Sequence, residues 1–247
     1  MSLRDIARRA VPAGFLHHYR MLRHVTLFPF ERELRRIPEF LAADAVAVDV
    51  GAHVGLYTAQ FAKLSRHVIA IEPNPENAEY LRQLKIGNCT VVEAALSDRV
   101  GRGELVIPLI EGACNTGLAT VAPDNKLDGM KTRTTPVSFM TLDAVTADLV
   151  KPGNRVSFIK IDVEGHELAC IAGAEQTIRE HRPVLMVEVE VRHGSDVRAL
   201  FNRMTAMGYA SRALIGGELR IIGTDELISL QASGRGDYIN NVFFLPA

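Results

Sequence analysis

The 247-residue sequence predicts an α/β fold with a doubly wound, mostly parallel sheet. Short runs rich in Val and Ile alternate with segments whose apolar residues recur at helical spacing, as crossover helices between parallel strands do. The stretch from Ala45 to Phe61 shows this most clearly, because a buried strand turns into a helix through Gly51 and Gly55. Glycines at such a turn let a ligand approach the backbone and the first N–H groups of the helix.

The alternation covers most of the chain, and a β-rich tail follows it. Asn74 and Pro75 supply the cap and first residue of one helix, and Gly216 with Gly217 supplies a hairpin turn. Strands are predicted at residues 46–50, 67–72, 90–94, 103–108, 132–139, 156–162, 184–190, 209–215, 218–222 and 241–245. Helices are predicted at residues 53–64, 75–86, 140–149, 167–180 and 196–207. Residues 111–131 are predicted to be a long functional loop.

Residues 1–43 are predicted to form a helical cap on a main domain of residues 44–247. Residues 1–40 carry eight Arg and four acidic residues, although the whole chain has a formal net charge of −1. The basic segment either packs as a cap or offers a surface to an anionic partner, a membrane or a second copy of the chain. Three separated cysteines, and the lack of an apolar run of ~18–20 residues, predict a cytoplasmic protein without a transmembrane segment. No nucleic-acid partner is expected.

Four segments place polar side chains at the carboxyl ends of predicted parallel strands, namely residues 49–55, 72–74, 93–98 and 160–167. Because those ends share one edge of the sheet, we expect the segments to form a single pocket. Glu72 ends the second strand, where a carboxylate can accept two hydrogen bonds from a ribose diol. The glycine spacing is G-x-x-x-G, so the dinucleotide phosphate fingerprint is absent. Acid-rich strand ends favour a cationic nucleoside, and S-adenosylmethionine is a ligand of that kind.

The strings VDVGAHVGLYT, IEPNPENAEYLRQ, VVEAALSD and FIKIDVEGHELACIAGA resemble the FkbM family of S-adenosylmethionine-dependent methyltransferases. The resemblance runs from residue 46 to residue 190. It implies a seven-stranded sheet of the class I methyltransferase type with an antiparallel C-terminal strand. It also implies S-adenosylmethionine as cofactor, S-adenosylhomocysteine as product, and methylation of a hydroxyl on a sugar, a glycan or a secondary metabolite.

The resemblance assigns cofactor contacts residue by residue. Asp49 and the two glycines would form the cofactor loop, Glu72 would bind the ribose, and Asp162 would lie by the methyl donor. His53 departs from the residue that the family often has at its position. The predicted cofactor-binding residues are Asp49, Gly51, His53, Gly55, Glu72, Pro73, Asn74, Ala95, Ser97, Asp98 and Asp162.

Three residues are candidates for a catalytic role. Asp162 and His166 are candidate general bases for an acceptor hydroxyl, since an unperturbed His titrates near neutral pH. Lys160 is either catalytic or held in an ion pair with Glu188, because Lys is rarely buried unpaired. The predicted acceptor-binding residues are Asn115, Thr116, Glu164, Glu188 and His193, and no metal is assigned.

Two other functions stay open from the sequence. One is an NAD-type oxidoreductase on a similar sheet, against which the missing third glycine counts. The other is a non-catalytic protein that binds a nucleoside without turnover. Titration with S-adenosylhomocysteine and with NAD distinguishes the oxidoreductase from the methyltransferase. A methyl-transfer assay distinguishes the non-catalytic binding protein from the methyltransferase.

Overall fold

The computed structural model describes residues 32–110, 113–122, 127, 129–193, 196–233 and 238–247. Most of the predicted N-terminal cap, residues 1–31, lies outside the described residues. Its described remainder contains two 3₁₀ turns, Arg32–Arg35 and Ile37–Glu39. Leu34 and Ile37 are buried in one apolar cluster with Phe61 of the main domain. The domain boundary after residue 43 stays a prediction.

The described residues form an alternation of strands and helices close to the predicted one. The strands are β1 (Val46–Val50), β2 (His67–Ile71), β3 (Cys89–Val92), β4 (Ala95–Leu96), β5 (Gly101–Ile110), β6 (Ala113–Cys114), β7 (Thr132–Met140), β8 (Val156–Ile161), β9 (Val184–Glu188), β10 (Tyr209–Ile215), β11 (Glu218–Ile221) and β12 (Asn241–Pro246). The helices are α1 (Leu56–Leu64), α2 (Pro75–Gln83), α3 (Leu142–Leu149), α4 (Glu167–Ala172), α5 (Glu175–His181), α6 (Val197–Ala206) and α7 (Thr224–Ser233).

The main sheet has the order β11-β10-β12-β9-β8-β1-β2-β3. The five strands from β9 to β3 are parallel, and β12 runs antiparallel between β9 and β10. This confirms the α/β fold with a mostly parallel sheet and an antiparallel C-terminal strand. The sheet has eight strands and not the predicted seven. The count of seven came from the family resemblance. The eighth strand at the edge is β11, which was itself predicted at residues 218–222 and follows the hairpin turn at Gly216 and Gly217, both at positive φ.

The central strands are buried on both faces. All residues of β1 and β8 are buried, because helices cover the sheet from both sides. Val48 and Ile159 face one apolar cluster, and Ala47 and Phe158 face the other. Strand alternation then places Asp49 and Lys160 on the same face as Phe158, and these two residues are register partners. Two buried, oppositely charged residues therefore lie side by side near the carboxyl ends of the strands.

A second sheet, in the order β4-β7-β5-β6, is inserted between β3 and β8. The predicted strand pair in this region is confirmed as the long antiparallel ladder of β5 and β7. Part of the predicted 111–131 loop is ordered: β6 is followed by a 3₁₀ turn at Thr116–Leu118 and by a bridge between Val106 and Thr120. We call residues 113–122 the strap.

Helix α1 begins at Leu56 and not at the predicted residue 53, and α2 ends at Gln83 and not at residue 86. Two helices differ from the prediction by more than this. The helix predicted over residues 167–180 is divided into α4 and α5, and Gly173 ends the first of them. A Cβ at Gly173 would lie 2.0 Å from the carbonyl oxygen of Ser97, so this break keeps the chain close to the end of β4. The second difference is α7, which the sequence did not predict because its apolar periodicity is weak and only Leu227 is buried. In the described part of the chain, no helix has the length and apolar character needed to cross a membrane.

Candidate active site

A pocket of about 250 Å³ opens at the carboxyl ends of β1, β2, β8 and β9. It lies where the strand order reverses between β1 and β8, which is the usual ligand position in an open α/β sheet. All four segments predicted from the sequence contribute to its walls. Their lining residues include Gly51, Glu72, Ala95 and Asp162, and the strap contributes Thr116.

The turn after β1 brings the backbone unusually close to the loop after β8. Gly51 has a φ of 75°, and a Cβ there would lie 1.8 Å from the carbonyl oxygen of Asp162. His53 also has a positive φ, of 49°, although it is not a glycine. Gly55 is the left-handed residue that precedes α1. The tight turn therefore depends on backbone conformations that L-residues rarely adopt.

Asp49 is fully buried beneath this turn. Its Oδ2 accepts a hydrogen bond from Thr58 Oγ1 at 2.5 Å, whereas its Oδ1 has no hydrogen-bond partner among the described residues. Burial raises the pKa of Asp49, and Lys160 and Thr58 oppose that rise. A smaller cavity of about 80 Å³ adjoins the side chain and is also lined by Tyr57 and Lys160. Asp49 thus lines a small cavity and has one buried acceptor atom without a donor among the described residues.

Glu72 organises the second wall of the pocket. Its Oε2 accepts from the backbone N of His53 at 2.7 Å, and its Oε1 accepts from the backbone N of Asn74 at 2.9 Å and from Asn77 Nδ2 at 3.3 Å. Burial raises its pKa to about 7, although these donors favour the charged form. Asn74 caps α2 as predicted, accepting from the backbone N of Glu76. Glu72 therefore ties the turn after β1 to the start of α2 while it lines the pocket.

The third segment divides between the pocket and its surroundings. Ala95 lines the pocket, whereas Ser97, Asp98 and His166 are not among its lining residues. Ser97 Oγ donates to Asp98 Oδ1 at 3.1 Å and lies 3.0 Å from His166 Nε2. His166 also stacks on Phe139, and burial lowers its pKa. The structure thus places the predicted base His166 in a polar contact beside the pocket wall.

Three carboxyl groups meet on the fourth wall. Asp162, Glu164 and Glu188 each place an oxygen within 4.8 Å of the other two. Lys160 Nζ donates to Asp162 Oδ2 at 2.8 Å and lies 4.7 Å from the centre of the Tyr57 ring. The ion pair predicted between Lys160 and Glu188 is therefore corrected to one between Lys160 and Asp162. Glu188 lies level with Asp162 on the neighbouring strand, but its Oε1 accepts from Asn240 Nδ2, whereas Asp162 directly follows the strand that carries Lys160 and lies within reach of Nζ.

Charge repulsion and burial shape this wall. Burial raises the pKa of Glu164 to about 8, and the neighbouring Asp162 carboxylate adds to that effect. Burial also raises the pKa of Glu188 well above its usual range, again with help from Asp162. Burial would raise the pKa of Asp162 as well, but Lys160 and the hydrogen bond with Glu188 lower it overall. The wall therefore combines one carboxyl group whose charge is stabilised with two whose ionisation is disfavoured.

The strap spans the pocket between its two sides. Thr116 Oγ1 lies 2.9 Å from His53 Nε2, and Thr120 Oγ1 donates to the carbonyl oxygen of Glu164 at 2.7 Å. His53 and Glu164, with φ values of 49° and 53°, are both left-handed residues. Asn115 caps the strap's own 3₁₀ turn by accepting from the N of Gly117 and is not among the pocket's lining residues.

Several lining residues were not predicted. Val50, Ile71, Ala94 and Val163 directly adjoin predicted residues, whereas Leu96 and Leu105 lie in the second sheet and Gly117, Ala119 and Val121 in the strap. No motif marks the residues of the second sheet and the strap, because single apolar residues and glycines are common in any domain. His193 lies in a short turn after β9, and its side chain is outside the described residues.

Comparison with known proteins gives consistent matches. A profile of the methyltransferase FkbM domain matches residues 49–211, which is more than half of the chain. The hexuronic acid methyltransferase AglP of Haloferax volcanii is 26% identical over 197 residues, covering 78% of this chain and 72% of AglP. The crystal structure of methyltransferase FkbM from Methylobacillus flagellatus KT aligns with a TM-score of 0.52 and 18% identity, covering 83% of this chain. This chain spans only 44% of that longer protein, whose likeness shows the shared fold.

The matched region includes the turn after β1, Glu72, the second sheet and the acidic wall, so it contains the whole described pocket. The chain belongs to the FkbM family of methyltransferases.

Proposed function

We propose that this methyltransferase transfers the methyl group of S-adenosylmethionine to a hydroxyl oxygen of a sugar or a related alcohol. The observation that carries the proposal is the acidic lining of the pocket. Glu72, Asp162, Glu164 and Glu188 line it, and no Lys or Arg does so in the part of the chain that the structure describes. Such a pocket suits a cationic nucleoside and disfavours the pyrophosphate of NAD, which binds where helix N–H groups and cations meet phosphates.

The residues present fit this methyl donor. The free Oδ1 of Asp49 is a buried acceptor that an ammonium group would satisfy. Glu72 lines the pocket at the end of β2, where a carboxylate can accept from a ribose diol. Ile71, Pro73 and Leu96 add apolar lining for a purine. Asp49 and Glu72 would therefore hold the two polar parts of the donor.

When bound, S-adenosylmethionine supplies a methyl group activated by a sulfonium. The contribution of the chain is then chiefly to position the donor and the acceptor, which is worth roughly 7–11 kcal/mol in well-oriented reactions. Carboxylates that bind the ribose and the amino group anchor the donor without stabilising the charge that disappears during transfer. Asp162 and Glu188 line the remaining wall of the pocket, where a carboxylate can receive the hydroxyl proton.

A sugar acceptor is supported by the relative AglP, whose name gives hexuronic acid as its substrate. Thr116 and Glu164 line the pocket where the strap crosses it, so we propose that they contact the acceptor. The assignments of Asn115 and His193 to the acceptor, and of Ser97 and Asp98 to the adenine, stay predictions. The substitution His166→Gln tests whether His166 is the predicted base. If it is, the variant loses most of the kcat of the enzyme, whereas loss of a residue beside the pocket leaves kcat largely unchanged.

Binding and turnover test the proposal separately. Calorimetric titration is expected to show S-adenosylhomocysteine binding and no NAD binding. The substitution Glu72→Ala should weaken S-adenosylhomocysteine binding by about 1.5–3 kcal/mol, because hydrogen bonds to a charged group are lost. The matched control is Glu93→Ala, since Glu93 follows the neighbouring strand and pairs with Arg82 on the surface. Tight NAD binding, or equal affinities of the two variants, contradicts the assigned donor.

Methyl transfer is measured with isotopically labelled donor and a panel of hexoses, hexuronates and polyols. Alkali-stable label in the sugar indicates an ether and supports a hydroxyl acceptor. Label released by mild alkali indicates a methyl ester on a carboxylate, and this result refutes hydroxyl methylation while leaving the methyltransferase assignment intact.

A further inference from the structure

Glu188 occupies an unusual position among the carboxyl groups of the pocket. Its side chain is 8% exposed, and its Oε1 accepts from Asn240 Nδ2 at 2.9 Å. As an ionised carboxylate oxygen, its Oε2 meets no hydrogen-bond donor among the described residues, although Glu188 lines the pocket. With a proton, Glu188 shares a hydrogen bond with Asp162. A buried carboxylate oxygen without a donor is costly unless it holds a proton or receives one.

The neighbouring charges are distributed unequally. Lys160 is buried and donates a hydrogen bond to Asp162, so its positive charge chiefly stabilises the Asp162 carboxylate. Asp162 and Glu188 follow Ile161 and Val187, which are register partners, so the two carboxyls lie level at the ends of adjacent strands. They form a pair in which Asp162 carries the stabilised negative charge and Glu188 is the site for a proton.

We propose, on the basis of the proposed function, that Glu188 is the catalytic residue that takes the proton of the acceptor hydroxyl, after giving up its resting proton when the cationic donor enters. Asp162 and Lys160 are positioning residues that hold the pair in this state. Asn240 holds the carboxyl group by donating to Oε1, which leaves Oε2 available to take the proton of the acceptor.

The step balances without any further reactant. The O–H bond of the acceptor breaks, and its proton goes to Glu188 Oε2. The acceptor oxygen uses the electron pair to form the O–CH₃ bond, while the electron pair of the broken S–CH₃ bond stays on sulfur. Glu188 later returns a proton to water or keeps it as the resting proton of the pair.

The electrostatics of the wall agree with this order of events. Glu188 is influenced by Asp162 and Lys160 from the end of β8 and by Glu164 from the loop after it. Tyr238 approaches it from the segment before β12. Burial and the two carboxylates raise the pKa of Glu188, and Lys160 opposes them. A cation in the pocket acts in the same direction as Lys160, so it releases the resting proton and leaves a base.

The first test compares Glu188→Gln with Glu190→Gln. Glu190 is buried two residues further along the chain, pairs with Arg192 and does not line the pocket, so it controls for loss of a buried carboxylate. We expect Glu188→Gln to lower kcat by about 10²–10⁴-fold, the range of general base catalysis. Its affinity for S-adenosylhomocysteine should change by less than about threefold, well under 1.4 kcal/mol. Equal kcat values for the wild type and Glu188→Gln overturn the proposal.

The second test needs binding alone. Calorimetry in buffers of different ionisation enthalpy counts the protons released when S-adenosylmethionine binds and when S-adenosylhomocysteine binds. The difference between the two ligands isolates the sulfonium charge, because both share the ribose that contacts Glu72 in the proposed function. We expect the wild type and Glu190→Gln to release more protons with the cationic ligand, and Glu188→Gln to show no difference. If the wild type releases the same number of protons with both ligands, the proposal that Glu188 holds a resting proton is overturned.

Failure of the proposed function leaves a different signature. If the wild type binds S-adenosylmethionine but methylates no acceptor, the proposed function fails, while the proton count still tests Glu188. If a chelator abolishes turnover by the wild type and Mg²⁺ restores it, the three carboxyls serve a metal ion, and the proposal is overturned.

Discussion

Gly51 gives the most direct test of how the fold builds the pocket. Replacement by Ala places a Cβ 1.8 Å from the carbonyl oxygen of Asp162, where ordinary contact needs 3.4–4 Å. The left-handed φ alone is expected to cost about 1–2 kcal/mol. The overlap adds about 1–3 kcal/mol, because the oxygen belongs to the backbone and cannot rotate away. We therefore expect Gly51→Ala to lower the free energy of unfolding by about 2–5 kcal/mol.

Two further glycines separate the backbone strain from the overlap. Gly153 has a φ of 85° with no atom within 4 Å of the added Cβ, so Gly153→Ala should cost only the strain. At Gly55, with a φ of 80°, the nearest atom is Leu81 Cδ2 at 2.6 Å, which is the end of a flexible side chain. In urea unfolding, Gly153→Ala is expected to be the least destabilising of the three variants, Gly55→Ala intermediate and Gly51→Ala the most destabilising.

The same series reports on the site. Gly51→Ala must move the turn after β1 away from the loop after β8, so its affinity for S-adenosylhomocysteine should fall by more than about tenfold, or 1.4 kcal/mol. Gly153→Ala should bind as the wild type does, because Gly153 lies in a turn that does not line the pocket. Equal unfolding free energies for Gly51→Ala and Gly153→Ala would refute the close approach as the reason for this glycine.

Three other results are expected. Burial raises the pKa of Glu72 from 4.5 to about 7. The folded state therefore binds this proton more tightly than the unfolded state does. Its contribution to the free energy of unfolding is complete below the unfolded pKa of 4.5 and is lost, by on the order of 3 kcal/mol, as pH rises through about 7. Thermal unfolding measured against pH should show this decrease, and Glu72→Gln should reduce it. Asp49→Asn keeps a partner for Thr58 but changes the free acceptor, so calorimetry should show S-adenosylhomocysteine binding weakened by about 1.5–3 kcal/mol, and unchanged affinity contradicts that role. Thr120→Val removes the hydrogen bond to the carbonyl of Glu164 and should lower the unfolding free energy by about 0.5–1.5 kcal/mol. It should also raise the acceptor KM at constant donor affinity, whereas an unchanged KM argues against the strap as an acceptor wall.

The fold was largely predictable from the sequence because its strongest signals are local. β1 begins and ends at the predicted residues, and Asn74 caps α2 as its position before Pro75 indicates. The two-residue strands β4 and β6 were not predicted, since such short strands are defined by their pairing with β7 and β5 and not by a local pattern. The break at Gly173 could not be predicted for a similar reason, because it depends on a close approach to Ser97, 76 residues earlier in the chain.

The site was predictable where strand ends carry polar residues and less so elsewhere. Glu72 and Asp162 line one pocket because parallel strands end at one edge. The contribution of the strap depends on how the second sheet folds back, which local periodicity does not encode. His53 shows both aspects: its ring contacts Thr116 of the strap, while its backbone N donates to Glu72.

Lys160 shows how the choice between two neighbouring carboxyl groups changes the chemistry. The sequence correctly required a buried partner for this Lys, since an uncompensated buried charge is strongly destabilising. The sequence predicted Glu188 as that partner, whereas in the structure Lys160 donates to Asp162, which lies level with Glu188 on the adjacent strand. Pairing with Glu188 would have stabilised the anion of that residue and made it a poor base. Pairing with Asp162 leaves the oxygen of Glu188 without a donor, at the wall where an acceptor hydroxyl must lose its proton.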